Sequence, residues 1–143
     1  MSIHQISVFL ENRVGQLAEI TTLLAQKNID IRAISIAETS DYGIARMIVD
    51  DSAAASSILL EHGDILSMTP VWAVEVPDRP AGLSELLCTL AQVHVDIAYM
   101  YSLFTHKDGH AYMVLRISNE DAFEKAMAEH DLKIVGKEEL GLK

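Results

Sequence analysis

Residues 6–17 read ISVFLENRVGQL, and the architecture of the whole chain can be worked out from this segment. Ile6, Val8 and Leu10 alternate with other residues, which is typical of a strand with one buried face. Apolar residues then recur at helical spacing, at Leu17, Ile20, Leu23 and Leu24. The segment therefore predicts a strand, a short loop that contains a glycine, and a helix.

The same pattern recurs without a gap 66 residues later, the offset that places Arg13 on Arg79. Matches at this offset continue along the chain as far as Leu66 and Leu132. A repeat of this kind means that one supersecondary unit is built twice. We therefore predict two copies of one fold, in residues 1–69 and 70–143.

Each copy predicts the order strand, helix, strand, strand, helix, strand. This is the ferredoxin-like βαββαβ arrangement, so the fold class is α+β, with two antiparallel sheets that each carry helices on one face. The last strand of the first copy is expected to continue through Pro70 into the first strand of the second. In the second copy we expect Pro80 in the first turn of a helix, Ser118 as the cap of the next helix, and a final strand over Leu132–Glu138.

Composition and charge narrow the choice of function. The chain has 143 residues, with 11 Lys and Arg against 21 Asp and Glu, which gives a formal net charge of −10. That sign repels phosphate backbones and anionic lipid, so we expect neither nucleic acid nor a membrane as a partner. No apolar run approaches the ~20 residues that span a bilayer, and Cys88 is the only cysteine. We expect a cytoplasmic protein.

Sequence motifs for chemistry are absent. The chain has no glycine-rich phosphate loop, no Ser-His-Asp spacing and no pair of cysteines. Cys88 lies in an apolar helical pattern, where we expect a buried, inert thiol. We therefore predict that the protein is not an enzyme and that it has no catalytic residues, no metal site and no cofactor.

The loop between the first strand and first helix of each copy is the candidate binding site. A loop of this kind exposes backbone N–H groups at the positive end of a helix, which suits a small carboxylate. On spacing alone, the alternative that these glycines merely permit a tight turn has equal weight. The candidate residues are Asn12, Arg13, Val14, Gly15, Gln16 and Leu17 in the first copy, and Asp78, Arg79, Pro80, Ala81, Gly82 and Leu83 in the second.

A zwitterionic ligand also needs a partner for its ammonium group. Asp30 and Asp96 occupy matched positions at the start of the second strand of each copy. They are the acidic candidates for that contact, and the alternative is that both are solvated charges on edge strands.

The first segment, followed by Asn28-Ile29-Asp30-Ile31, closely resembles the ACT domain, and the second copy resembles it as well. The resemblance covers essentially the whole chain and implies a regulatory fold that binds an amino acid or a similar effector at the interface between paired ACT domains. In the family, the loop of one domain faces the second strand of its neighbour. Carried over to this chain, residues 12–17 would face Val95, Asp96 and Ile97, and residues 78–83 would face Ile29, Asp30 and Ile31.

Two departures from the family pattern distinguish the copies. The first copy keeps Gly15 but has Asn12 and Val14 where Asp and Pro are usual. The second keeps Asp78 and Pro80 and has Ala81 at the glycine position. Because a methyl group restricts close backbone approach, the resemblance favours the Gly15 loop if only one site binds.

The resemblance supports two functional hypotheses. The first is a regulatory protein that binds a free amino acid. Because members of the family commonly form dimers, the resemblance also implies a homodimer. The alternative is a non-catalytic regulatory subunit of an enzyme of amino-acid metabolism, since Leu10-Glu11-Asn12 resembles the acetolactate synthase small subunit. An enzyme on this fold would need a cleft with a perturbed acid or base, and the sequence offers none.

Overall fold

The computed structural model describes residues 1–11 and 13–143, and its elements confirm the predicted α+β class. Asn12, a predicted loop residue, lies outside the described residues. The elements are β1 (Ile3–Glu11), α1 (Gln16–Gln26), β2 (Ile31–Glu38), β3 (Tyr42–Val49), α2 (Ser52–His62), β4 (Leu66–Pro77), α3 (Gly82–Gln92), β5 (Ile97–Ser102), β6 (His110–Ile117), α4 (Glu120–Glu129), β7 (Ile134–Val135) and α5 (Lys137–Leu140).

The chain divides into two compact units that are not simply its two halves. The first unit comprises His4–Thr69 together with Leu140–Lys143, and the second comprises Met1–Ile3 together with Pro70–Glu139. Strand β4 runs without interruption across the boundary at Pro70, as the sequence predicted.

The sheet of the first unit has the order β2-β3-β1-β4. Strands β1 and β3 are antiparallel, with Ile6 opposite Met47 and Leu10 opposite Gly43. Because side chains alternate along a strand, β1 turns one apolar row towards α1 and α2. The core that results includes Ile6, Val8, Ile20, Leu24, Met47 and Leu59, all fully buried.

The second unit repeats this plan around β4, which pairs antiparallel with β6 and, on its other edge, with β7. Strand β5 lies beyond β6. The core contains Trp72 and Phe123, whose ring centroids are 5.2 Å apart, with Leu90 and Met127 fully buried. Both units therefore place their first helix directly after the first strand, which is where the candidate loops lie.

The predicted final strand over Leu132–Glu138 is wrong for most of its length. Only Ile134–Val135 forms a strand, and Lys137–Leu140 forms the short helix α5. The side chain of Leu140 is 2 % exposed, and Glu139 forms an ion pair with Lys133 at 2.8 Å. Residues 137–140 therefore form a helical turn, which buries Leu140 and brings Glu139 to Lys133, where the sequence predicted a paired strand.

Two predicted helix starts are also wrong. Helix α3 begins at Gly82, so Pro80 lies in the preceding turn and not in the first helical turn. The cap of α4 is Asn119, whose side-chain oxygen accepts from the Ala122 N–H at 3.2 Å. Asn119 has φ +44°, a left-handed conformation that Asn tolerates better than most residues. The Ser118 hydroxyl accepts from the Asp96 N–H instead.

Within the described residues, no helix has the length and apolar character that a membrane crossing requires.

Candidate ligand-binding site

Gly15 shapes the loop of the first unit. It caps α1 with φ +88°, a left-handed conformation that costs an L-residue roughly 1–2 kcal/mol. A Cβ at this position would meet nothing within 4 Å, so the glycine is needed for its backbone angle and not for space. No side chain caps α1, within the described residues, and the neighbouring Val14 is fully exposed. The first backbone N–H groups of α1 therefore lie beside an open turn.

The second unit builds the matched turn from different residues. Ala81 caps α3 with φ +71°, close to the angle of Gly15 despite its methyl group. The following Gly82 packs so closely against the carbonyl oxygen of Pro77 that a Cβ would collide with it. In the second loop, Ala81 therefore adopts a backbone conformation that is unfavourable for alanine. The next position must be glycine, because a Cβ there has no room.

The loop arginines are held by the helices that follow. Arg13 Nη2 donates to Glu19 Oε2 at 2.7 Å, and Arg79 Nη2 donates to Glu85 Oε2 at 2.9 Å. Hydrogen bonding to Glu85 raises the pKa of Arg79 above its ordinary value. Glu19 and Glu85 occupy matched positions in the repeat, and the pairs could have been predicted from this coincidence. Each arginine thus ties its loop to the first turn of a helix.

Gln16 was predicted as a loop residue of the site, but its burial could not be predicted. It is the first residue of α1 and is only 7 % exposed. Within the described part of the chain, its side-chain oxygen Oε1 is buried and has no hydrogen-bond partner. A buried carbonyl oxygen without a donor costs about 1–3 kcal/mol, so this position needs an explanation.

Two cavities in the first unit adjoin the Gly15 loop and share Glu11, Arg13 and Gln16 as lining residues. The larger is about 290 Å³ and reaches the turn between β2 and β3. The smaller is about 150 Å³ and reaches the turn between α2 and β4. The other residues of the larger cavity are Leu10, Gly15, Leu17, Ala18, Ile36, Glu38 and Gly43, and those of the smaller are Phe9, His62, Gly63, Asp64 and Ile65.

The predicted acidic residues, Asp30 and Asp96, lie immediately before β2 and β5. The Asp30 carboxylate is 62 % exposed and lies 3.3 Å from Arg32 Nη1. The Asp30 N–H donates to Asp50 Oδ1, and the matched Asp96 N–H donates to Ser118 Oγ, both at 2.9 Å. Ile29 and Val95 beside them are buried, while Ile31 and Ile97 are half-buried at the strand starts. Side-chain hydroxyl or carboxylate oxygens therefore fix both strand starts in place.

Within one unit, the loop and the strand start do not come together. Helix α1 separates residues 13–17 from Asp30, and α3 separates residues 78–81 from Asp96. A helix of eleven residues is about 16 Å long. The two sets of predicted site residues therefore lie at opposite ends of each unit.

The second loop borders an apolar groove of about 540 Å³ along the outer face of α3. Leu83, Leu87 and Cys88 line it, and Cys88 is exposed, so its predicted burial is wrong. Leu86 and Leu90, four residues apart, lie on the buried face of α3. Cys88 lies midway between them, and so projects from the opposite face.

The described residues contain no group of three or more His, Cys, Asp or Glu side chains that could hold a metal ion.

Comparisons with known proteins agree with this architecture. The chain matches the ACT domain pair family over residues 1–142. A solved structure of a Bacteroides thetaiotaomicron protein is 35 % identical, covers 99 % of this chain and 96 % of its own, and superposes with a TM-score of 0.91. The ligand-free regulatory subunit of aspartate kinase from Thermus thermophilus shares the fold, with 15 % identity, 90 % of each chain covered and a TM-score of 0.66.

A shorter match links the chain to a curated protein. The acetolactate synthase small subunit of Aquifex aeolicus is 43 % identical over 47 residues, which are 33 % of this chain. The match spans only 24 % of that protein's length.

Proposed function

Because the chain belongs to the ACT domain family, as an ACT domain pair, we propose that it is a non-catalytic regulatory protein that binds a free amino acid or a similar small effector. The proposed site is built on the loops that precede α1 and α3. Cytoplasmic location and a homodimeric state remain predictions.

The main support for the proposal is the N-terminal end of α1. The left-handed Gly15 leaves the first N–H groups of the helix beside a cavity of about 290 Å³. These N–H groups lie at the positive end of the helix dipole, which favours a carboxylate. Leu10, Leu17 and Ile36 give the same cavity an apolar wall. An amino acid has both features, a carboxylate and an aliphatic body.

The ammonium group of the effector needs a negative partner, and we assign this role to Asp30 and Asp96. Because each lies a helix length from the loop of its own unit, it would act on an effector held by the loop of a paired ACT domain, as the family resemblance implies. Asp30 is 62 % exposed, and Asp96 is exposed as well. Backbone N–H bonds to Asp50 and Ser118 hold the two strand starts that carry them.

A thermal-unfolding screen of the full chain against the twenty amino acids tests the proposal. A ligand at 100 times its dissociation constant adds about 2.7 kcal/mol to the free energy of unfolding. We expect one amino acid, or a small related group, to raise the melting temperature. If none does so at millimolar concentration, the effector is not a free amino acid.

A second candidate is a regulatory subunit that acts on a separate catalytic chain. The 43 % identity to part of an acetolactate synthase small subunit favours it. The experiment is gel filtration of this chain mixed with catalytic subunits of amino-acid metabolism, with and without the effector. Co-elution with one of them would support the subunit role, and separate elution from all of them would contradict it.

A further inference from the structure

We propose that residues 140–143 inhibit effector binding by holding Arg32 against Asp30, so that the ammonium group of the effector must displace Arg32 from the carboxylate. We call these four residues the 140–143 segment. The inference rests on the proposed function, because it concerns the carboxylate that we assign to the ammonium group, and it adds a regulatory contact to that site.

The 140–143 segment packs with the first unit, although it follows the second unit in sequence. Leu140 is 2 % exposed, and the Lys143 N–H donates to the Asp50 carbonyl oxygen at 2.8 Å. The ammonium nitrogen of Lys143 also lies 3.7 Å from Asp51 Oδ2. A short segment held by a few such contacts can loosen while the rest of its unit stays folded.

The middle of the segment lies against Arg32. Gly141 has φ +68°, and a Cβ built on it would lie 2.7 Å from Arg32 Nη2 and 3.7 Å from Arg32 Cζ. The Gly141 backbone is therefore packed on the guanidinium group. Any side chain at this position would push the end of Arg32 away.

Arg32 in turn occupies the carboxylate of Asp30, with Nη1 3.3 Å from Oδ2. The backbone of Asp30 is fixed separately. Its N–H donates to Asp50 Oδ1 at 2.9 Å, and its carbonyl oxygen accepts from the Asp50 N–H at 3.0 Å. Arg32 is therefore the partner that can move. An incoming ammonium group competes with it, because two cations at one carboxylate repel each other.

The position of Arg32 also carries a cost. Within the described residues, its Nε is buried and has no hydrogen-bond acceptor. Such an N–H is unfavourable, because it has given up its bonds to water without replacing them. The guanidinium is therefore kept in place by Asp30 and the 140–143 segment against a tendency to return to solvent.

The contact belongs to the first unit alone. The repeat places Ala98 at the position of Arg32, while Asp96 matches Asp30. Arg32→Ala therefore gives the first unit the residue that the second unit has, and tests the contact without a foreign side chain.

Isothermal titration of the full chain with each of the twenty amino acids measures the effect on affinity. We expect Gly141→Ala, whose methyl group displaces Arg32, to bind the effector about two- to fivefold more tightly than the parent, the range of an exposed ion pair. The control is Gly109→Ala. Its φ of +76° gives similar backbone strain, but the space beside it is open, so the affinity should not change.

Arg32→Ala separates inhibition from a merely structural role of the segment. We expect it to raise the affinity about as much as Gly141→Ala, and we expect Gly141→Ala to add nothing once Arg32 is absent. Coupling between two sites is reciprocal. The effector should therefore speed hydrogen exchange of the Lys143 N–H in the parent about two- to fivefold, as measured by NMR.

The outcomes separate this inference from the proposed function. An amino acid that binds the parent and Gly141→Ala equally, or that gains as much from Gly141→Ala without Arg32, would overturn the inhibitory contact and leave the proposed function standing. Unchanged or slower exchange of the Lys143 N–H would do the same, and that measurement needs no variant. Binding to Gly141→Ala but not to the parent would support both proposals. No binding to either protein would overturn both.

Discussion

Gly15 and Ala81 hold the same left-handed backbone conformation at matched positions of the repeat, with φ angles of +88° and +71°. Glycine adopts this conformation freely, and alanine does so at a cost. One turn is therefore relaxed and the other is strained, although both begin a helix of eleven residues.

Two single substitutions, Ala81→Gly and Gly15→Ala, should change the free energy of unfolding in opposite directions. We expect Ala81→Gly to raise the free energy of unfolding by up to ~1 kcal/mol, and Gly15→Ala to lower it by ~1 kcal/mol. Urea unfolding of both variants measures this. Equal effects of the same sign would show that the left-handed angle is not what distinguishes the two turns.

Gly82 should tolerate substitution far less than Gly15. A Cβ at Gly82 would collide with the Pro77 carbonyl, which is backbone and cannot turn away, whereas the space beside Gly15 is open. We expect Gly82→Ala to cost more than ~2 kcal/mol, in the range of other overpacked sites. Comparison of its unfolding midpoint with that of Gly15→Ala checks this, and similar midpoints would contradict it.

Leu140 belongs to the first unit although it follows the whole of the second in sequence. It is 2 % exposed, and beyond it the Lys143 N–H donates to the Asp50 carbonyl at 2.8 Å. We expect Leu140→Ala to lower the free energy of unfolding by ~2–4 kcal/mol. The control is Leu60→Ala on α2, a leucine that is 59 % exposed. A loss at position 140 no larger than in this control would contradict the prediction.

The ion pair between Glu139 and Lys133 predicts a pH-dependent contribution to stability. The bond to Lys133 lowers the pKa of Glu139 below its ordinary 4.5, and the bond to Glu139 raises the pKa of Lys133 above 10.5. The contribution is therefore fully present between these two ordinary values. It is lost as the pH falls through the lowered pKa of Glu139, or rises through the raised pKa of Lys133.

The Glu139→Gln variant isolates this contribution. Its urea midpoint should lie slightly below that of the parent at pH 7, and the difference should vanish in acid as Glu139 itself becomes protonated. The difference is small because both side chains face water. A difference that grows on acidification would have the wrong sign for this ion pair.

Asp30 offers a test of ammonium recognition that spares the fold. Its carboxylate is 62 % exposed, and its ion-pair partner Arg32 is 31 % exposed, so Asp30→Asn should lower the free energy of unfolding by ~1 kcal/mol or less. If Asp30 receives the ammonium group, the same change weakens effector binding about tenfold. Titration of Asp30→Asn beside Asp96→Asn shows which strand start is used, and unchanged affinity in both would place the ammonium elsewhere.

The sequence predicted what local periodicity can encode. Apolar spacing in α1 and α3 and the alternation in β1 led to the right elements, because each buries one regular face. Helix α5 was missed because four residues are too short for a period, and its one buried side chain belongs to the first unit. The exposure of Cys88 was missed because a mostly apolar helix does not reveal which face is outside.

The candidate site was predicted only in part, for a related reason. Glycine and arginine in the loops stand out in the sequence, and Gln16 was included with them. Its burial depends on two turns distant in the chain, after β2 and after α2, which close around it only in the folded unit. The burial of the Asp64 side chain had no sequence signal, because an aspartate after a helix-ending glycine is ordinary on a surface.

The division of the chain into units has a consequence for its synthesis. Residues 140–143 complete the unit that begins at His4, and Met1–Ile3 belong to the unit that begins at Pro70. A ribosome therefore cannot release a finished first unit while it translates the second. The first unit reaches its full set of contacts only after residues 140–143 have left the exit tunnel, and a gene cut at the midpoint would yield two fragments that each lack part of their own unit.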